Sequence, residues 1–364
     1  MVTADSYTAP APARSSNFDA LRFWAALVVL WSHCFTLLDG NELREPLHAL
    51  SDGQSNLGVV AVAFFFAISG YLITRSFDRN PDVWSYARAR FLRIMPAFLV
   101  VLVLQEWVLG PLLTALPVHE YFQERGSIRQ LALAGTFLKE VGDLPGVFQT
   151  HPRSLVNGSL WTLRYEVICY GLVLLLGVTR LLERRTTLLL YLGAVGWMAY
   201  FEHARGLTED LGDQSPGPDR LLDFAAIFLA GSLIYLWRLP LRAPYAVVCA
   251  LLLVISPWFG ELRTAQRTVL PYLVLYLAIG FPFRVAGPQS FGDLSYGVYL
   301  YAWPITQCMI ALTGTSNWLW LGTLTTLVTL LLAWLSFHLV EKRALALKHR
   351  SAVARPGPPD AVRP

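Results

Sequence analysis

Charge is what this sequence has least of. Asp, Glu, Lys and Arg make up 15% of its 364 residues, where soluble domains carry about 25%. With 55% hydrophobic residues and a mean hydropathy of +0.46, that scarcity excludes an ordinary two-domain soluble enzyme. Cysteine is scarce too. Cys34, Cys169, Cys249 and Cys308 all fall in apolar runs, which excludes a disulfide framework. His119, His151 and His203 are scattered rather than clustered, so no metal centre is expected. The charge pattern suggests no nucleic-acid partner, and it leaves the oligomeric state open. There is no internal repeat, and no cleavable signal precedes the first apolar run. The head, 1–17, is rich in Ala, Pro and Ser and reads as a disordered cytosolic tail. The Pro-rich end, 346–364, reads the same way, which leaves 18–345 as one transmembrane domain.

What is present is a series of ten apolar runs: 19–38, 57–77, 94–116, 160–179, 187–202, 221–237, 244–259, 269–284, 294–312 and 318–340. Runs of this length predict an all-α polytopic protein of about ten transmembrane helices in a lipid bilayer. With the N-terminus in the cytosol, most Lys and Arg fall on the inner side, so both termini are expected to be cytosolic. The longest outer loop, 116–159, is rich in Gly and Pro and is expected to carry short interfacial helices or to shape an acceptor groove.

Against this apolar background the intramembrane charges stand out, because an ionisable group at depth is costly and normally faces a cavity or a partner. Arg22 and His33 are 11 residues apart. At 100° per residue that is about 20° past three turns, so both share one helix face, about 16 Å apart along the axis. Asp19 lies three residues before Arg22 and is placed to pair with it. Arg90 and Arg93 share a helical face and suit a phosphate-bearing ligand, with Pro96 expected at a helix start or kink. Ser69 and Gly70 permit close helix approach. Glu166 falls inside the fourth run, positioned to orient a histidine on a facing helix. The ninth run carries Tyr296, Tyr299, Tyr301 and Trp303 before Pro304, hydroxyls suited to a sugar or to the helix carbonyls that Pro304 frees. His338 and Glu341 read as surface residues. On these features alone, a proton-coupled transporter or flippase of a glycan or small molecule is an alternative to an enzyme.

Five segments, in order, resemble the acyltransferase-3 family of integral membrane O-acyltransferases. They are Asp19-Ala20-Leu21-Arg22 with His33, Phe66-Ala67-Ile68-Ser69-Gly70-Tyr71-Leu72-Ile73, Arg90-Phe91-Leu92-Arg93 with Pro96, Trp161-Thr162-Leu163-Arg164-Tyr165-Glu166, and Ser295-Tyr296 through Trp303-Pro304. Two positions depart from the family pattern: Ala20 replaces its usual Gly, and Ala302 replaces a ninth-span His. The form of the last segments is closest to members that acetylate exopolysaccharides and O-antigens. The resemblance implies transfer of an acyl group, most often acetyl, from cytosolic acetyl-CoA to a hydroxyl of a cell-envelope carbohydrate, at a bacterial inner membrane and without a metal. It implies that Arg90 and Arg93 hold donor phosphates and that Arg22 holds the pantetheine end or thioester carbonyl. His33 acts as general base or transient acyl carrier, and Glu166 supports its imidazole. Trp161, Tyr296, Tyr299 and Trp303 face the acceptor sugar.

Overall fold

The computed structural model describes residues 17–125, 135–137, 142–205, 218–288 and 292–350. Among these residues there is no strand, and each of the ten apolar runs falls largely within helix. The helices are α1 Phe18–Asp39, α2 Leu57–Arg79, α3 Val83–Leu113, α4 Trp161–Val178, α5 Arg184–Arg205, α6 Pro218–Leu236, α7 Ala243–Phe259, α8 Leu270–Gly280, α9 Ser295–Thr313 and α10 Trp318–Leu347. Five of them, α1, α2, α3, α4 and α10, are long and apolar enough to cross a membrane. Leu189, Val247, Leu251, Leu327 and Leu331 are left exposed on helix faces, as expected where lipid rather than water is the solvent.

Local signals fix the helix starts. Asn56 Oδ1 accepts the Val59 amide at 2.7 Å and caps α2, and Asp82 Oδ2 caps α3 through the Ser85 amide at 2.8 Å. These are the side chains that satisfy the orphan donors of a first turn. Because α3 begins at Val83 rather than at 94, the basic cluster lies on the helix itself. Pro96 therefore sits inside the helix, not at its start. The chain ends also differ from expectation. Asn17 is buried, and its side-chain amide donates to the carbonyls of Leu277 and Phe283, each at 3.0 Å. Helix continues beyond 345 to Arg350. The outer tails, 1–16 and 351–364, lie outside the described residues, as do 126–134 and 138–141 of the long loop. That loop does contain one short helix, Val118–Arg125.

α2 packs against α6 and α1, α1 against α9, and α9 against α10. The α2–α6 contact depends on small residues. A Cβ on Gly70 would lie 1.9 Å from the Phe228 carbonyl oxygen, and one on Gly231 would lie 2.2 Å from that of Ala67. The backbones thus touch, as small residues allow in lipid. Thr74 Oγ1 donates across the contact to Ser232 Oγ at 2.9 Å. Gly70 therefore takes the packing role expected for it, while its neighbour Ser69 is free to face elsewhere.

Candidate active site

Two cavities lie end to end among α1, α2, α4 and α9. The first, about 320 Å³, is lined by Arg22, Arg90, Arg93, Glu166, Tyr170 and Tyr296, with Ser69 and Leu345. The second, about 50 Å³, is lined by His33, Glu42, Asn56, Ser159 and Trp161. Val62, Thr162 and Tyr299 line both. Thr162 and Tyr299 share a hydrogen bond between their hydroxyls, so a polar partition separates an arginine cavity from a histidine cavity.

In the arginine cavity the three guanidinium groups are not equivalent. Arg93 Nη2 contacts Asp293 Oδ2 at 2.6 Å, its Nη1 lies 3.8 Å from Glu341 Oε2, and its guanidinium carbon sits 5.6 Å from the Tyr296 ring centre. Burial raises the Asp293 carboxyl, but the Arg93 and Arg22 cations and the two hydrogen bonds from Ser295 together outweigh it and hold the carboxyl down to about 2. Arg93 is thus already charge-matched. Arg90 instead has a buried Nε with no hydrogen-bond partner, between the Tyr86 and Tyr170 rings at 5.8 and 5.9 Å. Arg22 makes no direct ion-pair contact with Asp19, which is exposed, though its charge acts on both Asp19 and Asp293. Among the described residues, Arg22 and Arg90 are therefore the cavity cations without a direct ion-pair contact, whereas Arg93 belongs to the frame.

Glu166 does not reach His33. Its Oε1 accepts from Ser69 Oγ at 3.2 Å and from the Tyr170 hydroxyl one helical turn away, so this carboxylate belongs to the arginine cavity. The expectation that it supports the imidazole is corrected: the partition stands between them. Glu341, expected on the surface, is 2% exposed and accepts from Ser336 Oγ at 3.2 Å.

His33 sits with Nδ1 buried and unpartnered. Its ring packs edge-on against Trp303 at 4.7 Å. Trp303 is 1% exposed, and its indole Nε1 donates to the Leu155 carbonyl at 2.8 Å. It is the wall behind the imidazole, not a platform open to a sugar. Local sequence explains the wall. A Cβ on Gly158 would lie 2.6 Å from the Trp303 ring. Pro304 has no N–H for the Leu300 carbonyl four residues back, and Asn157 Nδ2 takes that carbonyl at 3.0 Å. The freed carbonyl is thus satisfied by an amide from the loop before α4 rather than by a tyrosine. Tyr296 donates instead to the Ile94 carbonyl, beside Pro96, at 2.8 Å. Its hydroxyl is therefore spent in the arginine cavity, not offered to a sugar. Of the four expected acceptor contacts, Trp161 and Tyr299 line the histidine cavity.

Sequence reasoning missed Asp293, Tyr170 and Glu42. Two had legible signals. Asp293 stands two residues before α9 and accepts both the amide and hydroxyl of Ser295, at 3.2 and 2.5 Å, as a helix-start Asp does. Tyr170 is four residues after Glu166, the helical neighbour position. Among the described residues no cluster of His, Cys, Asp and Glu has the makings of a metal site.

Residues 15–338 match the sequence profile of a family described as an acyltransferase domain. An "O-acetyl transferase" of Shigella phage Sf6 is 28% identical over 368 residues, covering 91% of this chain and 96% of the relative. "Nodulation protein 10" of Rhizobium leguminosarum bv. viciae is 29% identical over 366 residues, covering 93% of this chain and 95% of the relative. No solved structure matches.

Proposed function

The chain belongs to the acyltransferase-3 family; from this premise we propose that it is a membrane O-acetyltransferase that moves an acyl group from acyl-CoA to a carbohydrate hydroxyl. The arginine cavity takes the thioester end of the donor from the cytosolic side. Arg90 and Arg22 hold its anionic and carbonyl groups, a use supported by the unpartnered Arg90 Nε. The histidine cavity takes the acceptor hydroxyl from the opposite side. His33 Nε2 removes the proton from that hydroxyl, and its oxygen attacks the thioester carbonyl carbon. The C–S bond breaks, and the imidazolium returns the proton to the leaving sulfur. Tyr299 and Thr162, lining both cavities, supply hydroxyls where the carbonyl oxygen gathers charge. Glu166, bonded by Ser69 and Tyr170, offsets the nearby guanidinium charge.

The observation that carries this reading is the shared wall. A cation-lined cavity and a histidine-lined cavity meet at two hydroxyls, which is what transfer between a phosphate-bearing donor and a neutral acceptor on opposite sides requires. The test uses inside-out membrane vesicles with radiolabelled acetyl-CoA and the native envelope supplied. Loss of thioester, with label appearing in alkali-labile ester, is expected for wild type and not for His33→Ala. Full transfer by His33→Ala removes histidine from the mechanism. No thioester consumption by wild type removes the donor assignment.

A further inference from the structure

We infer that Glu42 is a clamp for the acceptor, and that it selects a neutral carbohydrate bearing two adjacent free hydroxyls. The inference rests on the acyltransferase reading above and deepens it.

Glu42 is the one carboxylate among the residues lining the histidine cavity. Its position is fixed by another residue of the same wall. Asn56 Nδ2 donates to Glu42 Oε2 at 2.5 Å, and Asn56 Oδ1 is at the same time the cap of α2. The loop between them is anchored as well. The buried Glu45 accepts the His48 and Leu57 amides at 2.8 and 3.0 Å. Gln54 ties the loop to the far segment through Pro257, Leu262 and Arg263. The remaining oxygen, Glu42 Oε1, makes no hydrogen bond to a described residue. Glu42 forms no ion pair or hydrogen bond with His33, so it does not orient the imidazole. The space between the two belongs to a ligand.

That space is unfinished in a particular way. Ser159 Oγ is buried with no partner and lines the same cavity as the His33 ring. Buried polar atoms are normally satisfied, so a polar ligand is the missing partner. A neutral imidazole nitrogen and a carboxylate are both acceptors. Two acceptors facing one small cavity match two hydroxyl donors on neighbouring carbons, one reacting at His33 and one held by Glu42. A phosphate or carboxylate next to the reacting hydroxyl is rejected by the Glu42 charge.

The test uses the full chain in vesicles, with radiolabelled acetyl-CoA and varied amounts of extracted native envelope glycan. Loss of one hydrogen bond to a charged group is worth roughly a ten- to hundredfold change. Glu42→Gln is expected to raise acceptor KM by about that factor while donor KM holds, and Glu42→Asp to recover part of it. Asn56→Asp keeps the α2 cap and repels Glu42, and is expected to reproduce the acceptor defect. Glycan cleaved with periodate and reduced with borohydride keeps hydroxyls but loses its adjacent pairs, and is expected to stop accepting label. Unchanged acceptor KM in both Glu42→Gln and Asn56→Asp, or full labelling of the cleaved glycan, overturns the clamp while wild-type transfer stands. Absence of transfer by wild type overturns the acyltransferase reading and the clamp with it.

Discussion

The Arg93–Asp293 contact joins α3 to the start of α9 at 2.6 Å; with the Arg22 charge and the Ser295 hydrogen bonds it favours the ionised Asp293 carboxyl, which is readable as a pH dependence. The Asp293 carboxyl falls from its ordinary 3.8 to about 2 in the folded protein. A difference of about two units corresponds to about 2 kcal/mol of folded-state preference for the ionised form. A depressed carboxyl contributes fully above the unfolded value and loses its contribution as pH falls through the folded one. The stabilisation is therefore complete above about pH 4 and gone near pH 2. Asp293→Asn removes it at every pH and leaves Arg93 with Glu341 alone, at 3.8 Å. Thermal unfolding in detergent, followed by tryptophan fluorescence, is expected to show the variant a few degrees less stable at pH 7. The gap from wild type should hold to about pH 4 and close below it. A variant as stable as wild type at pH 7, or a gap of constant size down to pH 2.5, refutes the argument that this pair is a stabilising ionic contact.

Other outcomes follow from the same geometry. Arg90→Ala is expected to raise donor KM roughly tenfold or more with little loss of folded protein, whereas Arg93→Ala lowers the folded yield. Gly70→Ala drives a Cβ onto the Phe228 carbonyl and is expected to cost about 1–3 kcal/mol or more. Gly193→Ala, whose Cβ meets open space, should be neutral or mildly stabilising, and size-exclusion recovery distinguishes the two. Asn157→Ala orphans the Leu300 carbonyl and is expected to cost about 1–3 kcal/mol of stability, seen as a lowered unfolding temperature in detergent.

Most of the helix plan was legible in the sequence, because lipid demands long apolar runs and each run marks its own helix. α3 was the exception. Its first turns carry Arg88, Arg90 and Arg93, so hydropathy placed the start eleven residues too late, although Asp82 gave the cap signal. That Arg22, Arg90, Arg93 and Glu166 each face a cavity or a partner follows from one-dimensional reasoning about buried charge; that they share one cavity does not. Nor do their pairings. Arg93 meets Asp293 across 200 residues, and whether Glu166 faces His33 or Tyr170 depends on helix rotation, which a nearly featureless apolar α4 does not encode. Glu341 looked like surface because it follows the last apolar run. It is buried because α10 continues past that run and lays this turn against α3.

The wall formed by Val62, Thr162 and Tyr299 also has an electrical consequence. A membrane carrying a potential stores about 2.3 kcal/mol per elementary charge for each 100 mV, and any continuous wet path discharges it. In the proposed reaction, two cavities that meet without merging let a reactive group pass between them while their water columns stay apart. The Thr162–Tyr299 contact acts as insulation in an enzyme whose chemistry otherwise invites a leak.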